Sequence, residues 1–315
     1  MTRSFKRSEK EIAVNTAEAL GYGESDRLLI VNADDFGMCH AVNEGVQQLL
    51  MEGAVSSATV MMPCPWAKEA VSWAAKHPAC DVGVHLTFTS EWPTYKWGPV
   101  TRTGPVASLL TEEGYFPADS ATVEREADPD DIRREIVSQI ELALRMGLKP
   151  SHVDNHMGSL YGLHMGRDFL EIVLDVCAAY GLPFRLPRYL EPGDPGISPR
   201  AYEIAAARAV LADRKGVAII DHLRSLPFVQ GPGETYESFR DGMAALLRSL
   251  KPGITEIIIH PSRIDEELKA IHSHWEKRGM ELEVFRDPVI RQVIASEGIR
   301  PIRWSELQRL MRKEA

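Results

Sequence analysis

Two adjacent acids, Asp34 and Asp35, close an apolar run at Arg27-Leu-Leu-Ile-Val-Asn32, and histidines fall at or after other apolar runs at His85, His152, His156, His222 and His260. Carboxylate oxygen and imidazole nitrogen are the donors that Zn2+ and similar divalent ions take; three of them leave a coordination position open to water. An ion so held brings the pKa of a water ligand toward neutrality, which is what hydrolysis of an unactivated amide or ester requires. Asp154, Arg185 and Asp221 fall at comparable places along the chain. Each residue also has a plainer reading. An Asp-Asp pair makes a good turn or helix cap, a histidine in an apolar strand is often a hydrogen-bonded core residue, and His152-x-x-x-His156 fits two ordinary histidines at a strand-loop junction. The recurrence of ligand-type residues at several strand ends is what points to a site. His77, His164, His272 and His274 read as surface or helix residues, and His40 stands at a helix start.

The elements that must position these groups alternate. Short strands rich in Val and Ile are expected over 27–32, 57–62, 81–87, 150–156, 183–188, 217–220 and 255–260, with Asp221-His222 following the sixth. Between them, apolar residues at helical spacing predict helices over 40–52, 66–76, 130–146, 166–180, 200–213 and 235–250. Six or seven β/α units suit a closed or nearly closed α/β barrel, whose catalytic groups gather where the C-terminal ends of the strands meet. An amphipathic helix is expected over Ser8–Leu20 in an N-terminal extension (1–26), and a helical tail over 291–315. The barrel would occupy 27–290 as a single domain, interrupted at about 90–129 by an irregular insertion rich in proline and aromatics. Trp92, Tyr95 and Trp97 in that insertion suit either stacking on a sugar face or packing the insertion onto the barrel.

Composition narrows the functional classes. Thirty-six basic against forty-five acidic residues give a net charge of −9, with no basic face for phosphates, so nucleic acid is not the expected partner. No stretch is long and apolar enough for a membrane span, and the first 26 residues carry no signal-type apolar core, so a cytoplasmic protein is expected. Cys39, Cys64, Cys80 and Cys177 lack C-x-x-C spacing and read as reduced thiols. The N-terminal extension and the C-terminal helices suit either contacts in a homo-oligomer or packing on their own barrel.

Leu29-Ile-Val-Asn-Ala-Asp-Asp-Phe-Gly37, Val82-Gly-Val-His-Leu86, Ser151-His-Val-Asp-Asn-His156 and Ile259-His-Pro261, in that order, resemble the motifs of the YdjC-like (ChbG/HpnK) carbohydrate deacetylases from about residue 27 to about 290. The resemblance implies a distorted, TIM-like (β/α) barrel of about seven strands and metal-dependent removal of an N-acetyl group from an acetylated carbohydrate. Position by position, it implies Asp35, His85 and His156 as ligands of one divalent ion, Mg2+ or Zn2+, Asp34 as general base and His260 as general acid. Arg185, in Phe-Arg-Leu-Pro-Arg, would match an arginine that orients the base. One departure stands out: where the family pattern continues with further histidines, His156 is followed here by Met157-Gly-Ser-Leu160.

Those roles cohere as amide hydrolysis, with base and acid needing environments that keep Asp34 ionised and His260 protonated. Two alternatives remain at this level: another metal-dependent hydrolase acting on esters or phosphoesters, and a sugar-binding barrel without turnover.

Overall fold

The computed structural model describes residues 16–190 and 199–312. Of the helix expected over Ser8–Leu20, Thr16–Ala19 is helical and the residues before it lie outside the described ones. Seven strands are present among the described residues: β1 (Arg27–Phe36), β2 (Ser57–Val60), β3 (Asp81–Leu86), β4 (Val153–Asn155), β5 (His222–Arg224), β6 (Gly253–Ile259) and β7 (Arg300–Pro301). All pair in parallel in the order β4-β3-β2-β1-β6-β5, and β7 is added to the start of β1. The curled sheet continues past its edges. Val153 bridges Phe184 and Pro187 bridges Ile220, so the extended stretch 183–189 links β4 to the chain entering β5. Hydrogen bonds thereby run around a parallel barrel.

Helices cover the outside because parallel strands need long crossovers. Their ends follow local chemistry. Asp128 caps the Pro129–Arg145 helix through the N–H of Asp130, with proline at the first position. Gly53, at φ 64°, ends His40–Glu52 in the left-handed conformation that a glycine adopts without strain. Leu170–Tyr180 begins later than expected, because the Asp168 carboxylate takes the Leu170 N–H and turns the chain into the helix there.

Side-chain alternation along each strand sorts core from site. In β1, Leu29, Val31 and Ala33 pack toward the helices, while Leu28 and Ile30 join Ile254, Ile302, Trp304 and Leu307 in a separate cluster at the barrel floor. The next two residues of that inner series are Asn32 and Asp34, joined by a hydrogen bond. The barrel interior is therefore apolar at the N-terminal ends of the strands and polar at the C-terminal ends. The insertion packs onto the barrel through Trp97, Val106, Leu109 and Phe116, all buried.

Two expectations about strand ends fail for positional reasons. His152 precedes β4, is fully buried, and stacks on Trp304 at 4.7 Å, within the apolar floor. Asp221 and His222 lie at the entry to β5, with His222 opposite Thr255 near the start of β6. The Asp221 carboxylate accepts the Ile254 N–H at 2.8 Å. A Cβ on Gly253, at φ 102°, would stand 2.6 Å from that carboxylate, so the close approach requires glycine.

Candidate active site

Adjacent residues of a regular strand face opposite ways, yet Asp34 and Asp35 both enter the site. The β1–β2 register shifts between Ala33 and Phe36, and Asp35 adopts φ 64°, a strained conformation for a residue with a side chain. This bulge turns Asp35 back toward the strand ends. Gly37 then holds the turn at φ 90°, in a space where a Cβ would lie 2.9 Å from the Cα of Ala67. The motif Ala-Asp-Asp-Phe-Gly thus has a backbone reason for its glycine.

Around Asp34 the structure is saturated. Arg185 binds it with both Nη atoms, at 2.8 and 2.7 Å, and Asn32 donates to it at 2.7 Å. The same guanidinium reaches Asp154 at 2.7 Å and Glu256 at 2.9 Å. Burial pushes the Asp34 carboxyl up, but the Arg185 charge, with His85 beside it, outweighs burial and holds it below the usual carboxylate range. Asp34 is therefore ionised at any ordinary pH.

Around Asp35 it is not. Oδ2 accepts from Arg278 at 2.6 Å, while Oδ1 is buried without a hydrogen-bond partner. That oxygen faces His85 Nε2 at 3.6 Å and His156 Nδ1 at 3.4 Å. The far nitrogen of each ring is occupied: His85 Nδ1 meets Asp154 at 2.6 Å, and His156 Nε2 lies 3.1 Å from both oxygens of Glu91. When each ring is neutral, as a metal ligand must be, the carboxylate behind it fixes the tautomer that leaves the inner nitrogen a lone pair. Asp35, His85 and His156 offer donor atoms within 4.8 Å of one another, so the set fits one divalent ion.

Charge supports the same fit. Asp34, Asp35, Asp154 and Glu91 face two guanidiniums, Arg185 and Arg278. The imidazoles respond. Burial lowers both, but Asp154 and Asp34 pull His85 up, and Glu91 and Asp35 lift His156 to about 10. A dry, negatively charged pocket that draws protons onto its histidines is one in which a cation is favoured.

His260 follows β6 and lines a cavity of about 360 Å3 together with Asp34 and Arg185. Burial pushes its imidazole down to about 4, against the pull of Asp35 and Asp34, so it rests neutral at neutral pH, not protonated as the sequence suggested. The structure thus gathers Asp34, Asp35, His85, His156, Arg185 and His260 at one barrel end. Trp97 is buried with its indole N–H on the Thr89 carbonyl at 2.7 Å, Tyr95 donates to the Met38 carbonyl, and Trp92 stacks on His272 at 4.5 Å; packing the insertion is their role here. His272, read as a surface or helix residue, stands at the C-terminal cap of the Glu266–Ile271 helix and is 5% exposed.

Several participants escaped the sequence reading. Glu91 sits in the irregular insertion, where no periodicity marks it. Arg278 lies 243 residues from Asp35, on the Trp275–Val284 helix. Glu256 did carry a signal, being an acid among the isoleucines of β6.

Fold and donor set together define a parallel β/α-barrel protein with a candidate metal centre at the C-terminal ends of its strands. The family model described as YdjC-like protein matches residues 28–296, and the chain belongs to that family. A carbohydrate deacetylase of Geobacillus stearothermophilus is 30% identical over 285 residues, spanning 90% of this chain and 99% of that protein. One from Thermus thermophilus is 29% identical, spanning 91% and 96%. Among solved structures, a candidate cellobiose-phosphate cleavage protein of Enterococcus faecalis matches with a TM-score of 0.71 and 26% identity, over 90% of this chain and 99% of that one.

Proposed function

We propose that the protein is a metal-dependent hydrolase that removes the N-acetyl group from an acetylated sugar or oligosaccharide. The observation that carries this reading is the orphaned Oδ1 of Asp35 between two imidazoles, next to the fully bonded Asp34. The relatives named carbohydrate deacetylase support the substrate class. Asp35, His85 and His156 would hold the ion, Mg2+ or Zn2+, which when bound supplies Lewis acidity toward the acyl oxygen and acidifies a water ligand.

The chain's own residues do the rest. Asp34, kept ionised and oriented by Arg185, accepts the proton of the attacking water. His260 shares its cavity and is the group that protonates the departing amine. Being neutral at rest, it receives the proton that Asp34 has taken from the water and passes it to the amine, so one proton moves from water to leaving group. No helix among the described residues is long and apolar enough to cross a membrane, and the four cysteines are free. Both support a cytoplasmic setting.

The test is acetate release from a panel of N-acetylated sugars, N,N′-diacetylchitobiose among them. Release should stop after treatment with a chelator and return on adding Mg2+ or Zn2+. Release that persists undiminished in the metal-free protein would rule this reading out.

A further inference from the structure

Proton delivery to a leaving amine depends on where an imidazole points, since the donor must stand within hydrogen-bond reach of the atom it protonates. The last torsion of a histidine side chain is broad and two-fold, so its own bonds do not settle that direction. For His85 and His156 a carboxylate behind the ring settles it, at 2.6 and 3.1 Å. His260 is built otherwise. The Glu281 carboxylate behind it is engaged with the His260 backbone N–H at 2.9 Å and comes only to 4.0 Å from Nδ1. The Arg278 guanidinium reaches the His260 carbonyl at 3.5 Å, not the ring. Among the described residues, no side chain hydrogen-bonds this imidazole.

What packs on the ring is Phe228. The two ring centroids are 4.9 Å apart with their planes at 79°, the edge-to-face arrangement that aromatic pairs favour. Phe228 stands in the loop between β5 and the Tyr236–Arg248 helix, and long-range contacts hold it there. Arg278, the partner of Asp35, lies 5.4 Å over its ring; His272, stacked in turn on Trp92, is 6.2 Å away. Further along the loop, Glu234 pairs with the buried Lys277 at 2.6 Å and accepts the Gly231 N–H at 3.0 Å. Breaking a buried ion pair is costly, so this loop is fixed in place. One helix, Trp275–Val284, thereby grips Asp35, the His260 backbone and the loop of Phe228.

We propose that Phe228 is a positioning residue for the reaction: it holds the His260 imidazole in the orientation from which a proton passes to the departing amine. The inference rests on the deacetylase reading and deepens it by naming what aims the acid. In that step the acyl C–N bond breaks, the nitrogen keeps the bonding pair and takes the proton from His260, and a neutral amine leaves. Without Phe228 the ring is free to turn about its last torsion. Proton delivery then suffers while sugar binding does not.

A double-substitution cycle tests this, read as acetate release from N,N′-diacetylchitobiose by the metal-loaded protein. Phe228→Ala should lower kcat about 10- to 100-fold, the scale of a small misplacement of a reacting group, with KM within about threefold of the parent. Phe228→Tyr, which keeps the flat ring, should hold kcat within about threefold. In a His260→Ala background, Phe228→Ala should cost less than about twofold, because residues that act as a unit are not additive. p-Nitrophenyl acetate gives a second reading, since its leaving group departs without a proton; its turnover should stay within about threefold in Phe228→Ala. Should the alanine variant fail to fold, Phe228→Leu fills the space without a flat ring and takes its place. A kcat unmoved in the parent background, an equal loss in both backgrounds, or an equal loss on amide and ester overturns the inference and leaves the deacetylase reading intact. A parent protein that releases acetate from no N-acetylated sugar removes both together.

Discussion

Asp34 and Asp35 are consecutive, equally buried and both ionised, yet the regions around them are opposites. Asp34 belongs to a cluster in which Arg185 and Asn32 bond both of its oxygens and the same guanidinium reaches Asp154 and Glu256, although Arg185 Nε and Glu256 Oε2 are themselves unpartnered. Asp35 belongs to one in which a carboxylate oxygen and two imidazole nitrogens face each other at 3.4 to 3.6 Å with no hydrogen bond to that oxygen. Isolated ionised oxygens are too costly to bury for this to be indifferent packing. The first leaves neither oxygen of Asp34 free and fixes an orientation. The second leaves one Asp35 oxygen facing two ring nitrogens, the geometry on which the proposed cation site rests.

The sharpest way to break this contrast is to neutralise each acid in turn. Asp34→Asn should retain the ion and lose turnover by about 10² to 10⁴, the contribution of a general base. Asp35→Asn should lose the ion itself, seen as disappearance of the rise in melting temperature that Mg2+ or Zn2+ gives the parent protein. Turnover preserved in Asp34→Asn, or a metal-induced rise preserved in Asp35→Asn, would mean that the two regions are not divided as drawn.

Arg185 tests the closed cluster next. Its guanidinium is 2% exposed and serves three carboxylates, so Arg185→Met leaves uncompensated buried charge. Loss of one member of such a set costs about 3–5 kcal/mol, which urea denaturation would show. Arg185→Lys restores the charge without the two-pronged grip on Asp34; stability should recover more fully than kcat.

The open cluster answers to Glu91. Glu91→Gln keeps the shape behind His156 but removes the charge that orients and polarises its ring, and should weaken ion binding about 10- to 100-fold. Unchanged affinity by titration of the metal-free protein would show His156 to be held by the barrel alone.

The donors at the centre of both clusters were legible in the sequence, and most of the groups that tune them were not, for one physical reason. Asp34 and His85 stand in the last residues of strands that begin apolar, and His156 directly follows one, so short-range pattern suffices to place them at one barrel rim. What tunes them comes from afar. Glu91 reaches His156 across 65 residues and Arg278 reaches Asp35 across 243, from an insertion and a late helix whose docking no local pattern encodes. The bulge at Asp35 also defeats the alternation that would have sent its side chain away from the site. Asp221 and His222 erred in the other direction: the apolar run before them suggested a strand end, but pairing with β6 begins where they stand.

Glu281 offers the smallest and finest test, because it lies behind His260, next to the open cluster. Its Oε2 accepts the His260 backbone N–H at 2.9 Å, and burial pushes its carboxyl up to about 7 against that bond and the nearby Arg278 and Lys277 charges. A carboxyl whose folded pKa exceeds its unfolded value, near 4.5, binds its proton better in the folded state. Its contribution to stability is thus full below about 4.5 and is lost as pH climbs to about 7. Glu281→Gln fixes the protonated shape at every pH. Thermal unfolding followed from pH 5 to 7 should therefore fall less steeply in the variant, by on the order of 1 kcal/mol across the window. Some slope should survive, since burial also lifts Glu256 to about 7 in the closed cluster. Identical slopes in parent and variant would place the sensitivity in the Arg185 cluster alone. A flatter variant assigns part of it to the wall behind His260, next to the proposed cation site.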